Sequence, residues 1–331
     1  MTKEDKSITL NFEMGRKKSK FRKSFEDQLG YLLIKLWVTC VHRLPLESLI
    51  YYGEGLGRLA LALLRKRKKI ALGNLRLAFG KEKGPEEIEK ICDTNFRNIG
   101  KDMLEISRCL DFKESYLKML VTIEGKEHLD EALSKGKGAI ALTAHLGNFP
   151  IINVRLVREG YPVSLVARDP ENPRVAKMIT SYRDVFGIES IPDKPRMTCV
   201  AKSLKALKQN RILYLQIDQN APATECWVDF FGYLVPTFKG PVILSLRTGA
   251  PILPMFIIRN SDSFHKLMIH PPFQLKITGD VEQDVTSNIA GLTKIVEATI
   301  REYPEQWWWI HRRFKRARDI QTGERLYLKN V

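Results

Sequence analysis

From Val121 onward the chain alternates short apolar runs with segments of helical period, and this rhythm restricts the fold more than any other feature. A run of roughly four to eight apolar residues bounded by turn residues reads as a strand buried on both faces. An intervening stretch with apolar residues at i, i+3 and i+4 reads as a helix lying over it. Strands are expected near 121–124, 138–144, 162–167, 212–217, 252–258 and 267–270, with helices at about 126–135, 149–159, 172–186, 198–208, 240–248 and 285–302. Such alternation builds a parallel sheet flanked by helices, so an α/β domain is predicted over residues 116–318.

Sheets of this kind bind ligands beyond the carboxyl ends of their strands, and the polar residues gather there. The run from Ala139 leads into His145, after which Gly147 and Asn148 break it. Arg168 through Asn172 follow the next expected strand, Arg183 lies on the helix after it, and Asp218-Gln219-Asn220 close the strand at 212–217. Each has an ordinary explanation alone. A lone histidine is commonly a core residue bonded to a carbonyl, an arginine a structural ion pair, and Asp169, Asn172 or Asp218 a cap or strand end. Their convergence on one sheet edge is what makes them a candidate site.

The first third reads differently. A basic run at 16–23 precedes Leu29, Leu32, Leu33, Leu36, Trp37 and Cys40, which fall on one helical face, with Lys35, Thr39 and His42 on another. No small-residue cleavage site follows, which argues against a cleaved signal. The apolar run is also shorter than the ~18 residues of a spanning helix. A second apolar stretch, Leu56–Leu64, ends in Arg65-Lys-Arg-Lys-Lys69, and helical periodicity continues to Leu110. Two apolar segments flanked by cations suggest a surface that lies on an anionic membrane. The alternative is a helix packed on its own domain with a solvated basic tail. The expected organisation is a basic tail at 1–28, a helical membrane-associating region at 29–115, the α/β domain, and a tail at 319–331.

Charge supports an anionic partner. Lys and Arg total 54 against 38 Asp and Glu, a net charge of +16. Nucleic acid is disfavoured, because the basic clusters abut Leu-rich segments and match no reader motif. The five cysteines form no C-x-x-C pair, which supports neither a disulfide framework nor a zinc site, and His265 and His270 show no metal-ligand spacing.

Several motifs in order carry a family resemblance: Ile70–Phe79, Asn98 with Gly100 and Glu105, His145-Leu-Gly-Asn-Phe149, Arg168 with Asn172-Pro173, and Arg183 with Gly187. Asp218-Gln219, Val228–Gly232, Thr237 with Gly240-Pro241, Thr248–Pro251, and Pro304 through Lys315 continue the series. The chain resembles the lipid A biosynthesis lauroyl/myristoyl (late) acyltransferases, which are related to the glycerolipid acyltransferases with their H-x-x-x-x-D/E signature. The resemblance implies a glycerolipid-acyltransferase-like sheet and acyl transfer from acyl carrier protein to a glycolipid hydroxyl. It implies the cytoplasmic face of the inner membrane as the location, and because a thioester is already an activated acyl donor no cofactor or metal is expected.

That chemistry suits the residues. A hydroxyl needs a general base to attack a thioester, and a neutral imidazole fits, making His145 the candidate base. Backbone N–H groups around Gly147 and Asn148 are candidates for the oxyanion, and Arg168 and Arg183 for an anionic acceptor such as a lipid A precursor. One departure stands out: the signature acid five residues after the histidine is Pro150. Asp218 is the favoured substitute, a backbone carbonyl is another, and a silent relative that binds glycolipid or carrier without turnover is a third. An active enzyme with a different glycolipid or aminolipid acceptor is a further reading. The Trp307–Arg318 segment suits a headgroup interface or an acidic carrier protein.

Overall fold

The computed structural model describes residues 23–326, so all of the predicted basic tail before Lys23 lies outside the described residues. The chain opens with helices α1 (Lys23–Val41), α2 (Leu49–Leu63), α3 (Arg65–Phe79), α4 (Pro85–Arg108) and α5 (Glu114–Leu120). It continues through β1 (Val121–Glu124), α6 (Lys126–Ser134), β2 (Ala139–Thr143), α7 (Phe149–Arg158), β3 (Val163–Ala167), α8 (Pro173–Val185), β4 (Glu189–Pro192) and α9 (Arg196–Lys208). The remainder comprises β5 (Ile212–Gln216), β6 (Cys226–Phe230), β7 (Tyr233–Thr237), α10 (Gly240–Thr248), β8 (Ile252–Arg259), β9 (His265–Ile269), α11 (Val281–Glu302) and β10 (Arg318–Asp319).

Local chemistry sets the boundaries. Pro173 opens α8 behind Asn172, whose side-chain oxygen accepts from the N–H groups of Arg174 and Val175. Asp280 does the same for Glu282 and Gln283, which is why α11 starts at Val281, four residues before the expected 285. In α4, Glu86 and Glu87 sit in the first turn and Arg108 in the last, matching the helix dipole.

Seven strands form one sheet in the order β1-β9-β8-β2-β5-β3-β4. The five from β8 to β4 are parallel, while β9 pairs antiparallel with β8, so the sheet is mixed and not the all-parallel one expected. A second sheet, β10-β7-β6, was absent from the expectation and packs beside α11. Helices cover both faces. One core joins α3, α4, α9, α10 and α11 to the sheet, and the other lies under α5, α6 and α7.

The N-terminal helices pack closely on the domain. α2 crosses α4 backbone to backbone: a Cβ at Gly57 would fall 2.3 Å from the Phe96 carbonyl oxygen, and one at Gly100 2.2 Å from that of Gly53. Among the described residues no single helix is long and apolar enough to cross a membrane, and α1 and α2 pass that test only together, across a 110° bend. The segment after α11 is also part of the fold. Trp307, Trp309, Arg313 and Phe314 are fully buried, so within this stretch only the other cations, such as Arg312, Lys315 and Arg318, remain exposed.

Candidate functional site

Sheet register brings the two central residues together. Thr143 at the end of β2 pairs with Gln216 at the end of β5, and His145 and Asp218 each stand two residues beyond that pair. Asp218 Oδ1 lies 2.9 Å from His145 Nδ1, and its Oδ2 accepts the His145 backbone N–H at 2.8 Å. The same Oδ2 accepts the Trp307 indole N–H at 2.7 Å. Burial alone pushes the Asp218 carboxyl up, but the His145 ring, these donated bonds and the indole override it and hold it at about 2. A carboxylate so held keeps the ring proton on Nδ1 and leaves the Nε2 lone pair as the acceptor.

The turn that carries His145 is fixed from below. The Gly147 N–H donates to the Gln306 carbonyl at 2.9 Å, and the Trp308 N–H to that of His145, so residues 306–308 run beside 145–147. Gly147 has φ +56°, and a Cβ there would meet the Ile257 carbonyl oxygen at 2.3 Å. The Asn148 side chain is buried and donates to Glu105 at 2.8 Å. The expectation of a backbone donor is corrected at Gly147, whose N–H is taken by Gln306, while the Asn148 side-chain amide braces the turn from Glu105. Pro150 is the second residue of α7, where its missing N–H is one of the helix's unpaired donors anyway.

Glu105 anchors a buried cluster. It accepts from both terminal nitrogens of Arg259 and lies 2.9 Å from His265 Nε2. Burial raises the Glu105 carboxyl, and His265 and Arg259 outweigh it, holding the group well below the usual carboxylate range. Asp102, Glu105 and His265 place ligand-type atoms within 4.8 Å of one another. The Arg259 guanidinium already bonds both carboxylates and supplies the cluster with a positive partner from the protein itself.

His145 opens onto a cavity of about 2120 Å³. That is roughly twice the upper end of ordinary small-molecule pockets, about 1,000 Å³. Its lining is mainly apolar, drawn from α1, α2, α4, α7 and α8, with Phe149 4.7 Å from the His145 ring. Among the described residues the buried Asn153 Oδ1, Gln216 Nε2, Asn220 Oδ1 and His311 Nδ1 have no protein partner, and all four residues line this cavity. Burial depresses the His311 ring to about 4, leaving it neutral near pH 7.

Arg168 and Arg183 line the same cavity, but as ion pairs. Arg168 lies 2.7 Å from Asp193 with 70% of its side chain exposed, and Arg183 lies 3.3 Å from Asp169. Each guanidinium thus has a carboxylate partner in addition to its place in the cavity lining. Among the described residues, the cavity cations with no ion pair include Arg67 and Lys315, from the basic cluster at 65–69 and the 307–318 segment, and Lys194 and Arg247, which the sequence did not single out. Two other residues were missed. Trp307 supplies a donor to Asp218, and Arg313 is buried with its guanidinium bonded to the carbonyls of Gln219 and Pro236 and to Thr237. Burial lowers Arg313 to about 10, with Asp218 opposing that shift.

Fold and site together define an α/β protein with a histidine–carboxylate dyad at the carboxyl edge of its sheet, facing a large apolar cavity. Residues 16–316 match the family described as bacterial lipid A biosynthesis acyltransferase, and the chain belongs to that family. It is 27% identical to the lipid A biosynthesis palmitoleoyltransferase of Escherichia coli K12 over 289 residues, covering 86% of this chain and 90% of the relative. It is 27% identical to the lauroyltransferase of the same organism over 85% of this chain and 89% of that protein. A phosphatidylinositol mannoside acyltransferase of Mycolicibacterium smegmatis is 27% identical over 55% of this chain and 58% of its own length.

Proposed function

We propose that this protein transfers a fatty acyl chain from acyl carrier protein to a hydroxyl of a lipid A precursor or a similar glycolipid, with His145 as the general base. The carrying observation is the His145–Asp218 pair: Asp218 holds Nδ1, which leaves Nε2 as the ring's acceptor, and His145 lines the cavity. Nε2 takes the acceptor's hydroxyl proton as its oxygen attacks the thioester carbonyl. The tetrahedral intermediate then expels the carrier thiolate, which takes the proton back from the imidazolium. The thioester is already an activated acyl donor, so the attack needs no covalent enzyme intermediate. Asp218 orients the ring and balances its charge, the work that the residue at Pro150 would do in the family signature.

The apolar cavity suits the acyl chains, and the unpaired cations Arg67, Lys194, Arg247 and Lys315 suit phosphates of the carrier's prosthetic arm or of the acceptor. Leu29, Leu32, Leu33 and Leu36 of α1 and Tyr51, Leu59 and Leu63 of α2 are exposed, next to the basic start of α3. That combination supports residence on the cytoplasmic face of the inner membrane, where the acceptor would be met. The mycobacterial relative favours a second reading in which the acceptor is another anionic glycolipid.

Mass spectrometry of membrane glycolipids from cells with wild type, His145→Ala, or no protein tests the proposal. The variant should be produced at normal level and leave the glycolipid one acyl chain short, as the deletion does. Unchanged acylation in the variant would overturn the base role, and a catalytically silent relative would leave all three profiles alike.

A further inference from the structure

The nitrogen that must accept the proton is covered in this structure. The Gln219 side-chain nitrogen lies 2.9 Å from His145 Nε2. With Asp218 fixing the ring proton on Nδ1, Nε2 offers only a lone pair, so the contact requires an amide N–H donor, which assigns the orientation of the carboxamide. The amide therefore occupies the place an acceptor hydroxyl must take.

The backbone of Gln219 cannot retreat. Its carbonyl accepts from Arg313 at 2.7 Å, and Arg313 is itself tied to Pro236 and Thr237 and fully buried. Among the described residues the Gln219 side chain has only the bond to His145 Nε2, and it lines the cavity. An incoming hydroxyl would displace the amide by about one hydrogen-bond length, roughly 3 Å. That leaves an N–H donor beside the carbonyl carbon under attack. Acyl transfer needs such a donor, because charge collects on the carbonyl oxygen as the new bond forms. The Gly147 N–H and the Asn148 side-chain amide are bonded to Gln306 and Glu105 and do not supply it, and Asn148 does not line the cavity.

We propose that Gln219 is a catalytic residue whose carboxamide N–H, displaced from His145 Nε2 by the acceptor hydroxyl, donates to the thioester carbonyl oxygen as it becomes an oxyanion. The inference rests on the acyl-transfer reading above. In the step, the hydroxyl proton passes to Nε2, the acceptor oxygen bonds to the carbonyl carbon, and the carbonyl π pair moves onto the oxygen facing Gln219. Collapse re-forms the carbonyl, breaks the carbon–sulfur bond, and returns the proton from Nε2 to the departing thiolate.

The test uses the full-length protein in detergent with an acyl-carrier thioester and a glycolipid acceptor, comparing wild type, Gln219→Ala, Gln219→Glu and His145→Ala. Gln219→Ala should lower kcat about 10²–10³-fold, with KM within a few-fold of wild type. Gln219→Glu, which replaces the donor with a carboxylate, should lose at least as much. A phosphonate mimic of the tetrahedral intermediate should bind Gln219→Ala more weakly by about the factor lost in kcat, while a non-reactive thioether analogue of the donor binds both proteins alike. That split separates oxyanion contact from general damage to the site. Activity of Gln219→Ala near wild type, or equal weakening of both analogues, would overturn the role and point to the first backbone N–H groups of α7. A wild type with no transfer above His145→Ala would overturn the acyl-transfer reading itself.

Discussion

Replacing Asp218 by Asn is the sharpest perturbation of the dyad, because the geometry decides which way the new amide must face. Oδ2 accepts two donors, the His145 backbone N–H at 2.8 Å and the Trp307 indole at 2.7 Å, while Oδ1 faces Nδ1 alone. An asparagine keeps its oxygen toward the two donors, since turning it round would strand both at about 1–3 kcal/mol each. Its NH₂ then meets Nδ1 and forces the proton onto Nε2, the atom that accepts one in the proposed reaction. A wrong tautomer of this kind costs about 10⁴ in kcat, or about 5 kcal/mol of barrier. Steady-state acyl transfer measures it, with circular dichroism showing the fold retained. Activity within tenfold of wild type would refute the reasoning. Stability adds a pH signature. The Asp218 carboxyl is depressed from an ordinary 3.8 to about 2, so its contribution is fully present above about pH 4 and lost as pH falls through about 2. The shift corresponds to about 2 kcal/mol. The advantage of wild type over Asp218→Asn in urea unfolding should therefore shrink across that window.

Two further substitutions probe what holds the dyad. Glu105→Gln leaves Arg259 and His265 short of a buried partner and should cost about 3 kcal/mol of stability near pH 7. Because Glu105 is held below the usual carboxylate range, that deficit should narrow on acidification as the wild-type carboxylate itself protonates, which urea titrations at several pH values would show. Gly147→Ala forces a side chain into a left-handed turn 2.3 Å from the Ile257 carbonyl oxygen and should lose at least about 2 kcal/mol, read as a lower Tm. An unchanged Tm would mean that the turn is not braced as described.

The large elements were legible because their apolar periods are long and regular. All six expected strands occur within two residues of their predicted limits, and β2 and β5 carried His145 and Asp218 to where equal offsets from a paired end make them meet. The missed strands lacked such a signal. β4 is a short edge strand, Glu-Ser-Ile-Pro, with no alternation to read. β6 and β7 turn at Phe231 and Gly232, with φ of 54° and 77°; a phenylalanine in that left-handed position hid a hairpin behind an aromatic motif. The second layer of the site was illegible for a different reason. Trp307, Arg313 and Glu105 lie far from their partners in sequence, and nothing local shows that an indole will bond a carboxylate or that a guanidinium will be buried. The segment holding Trp307 and Arg313 was read toward headgroups or a carrier, and the fold turned those two side chains inward.

The glycine crossing of α2 and α4 bears on how the cavity can change. Gly57 and Gly100 line it where the two backbones touch, so that part of its boundary has no side chain to trim or extend. Adding even a methyl there would pry the helices apart and move the whole boundary at once. Redesign for a longer or shorter guest must therefore work through ordinary side chains elsewhere in the lining, such as Leu33 and Ile34 of α1 or Met178 and Ile179 of α8, where one exchange alters volume and leaves the backbone in place. One jaw is a fixed reference, and selectivity has to be cut into the other.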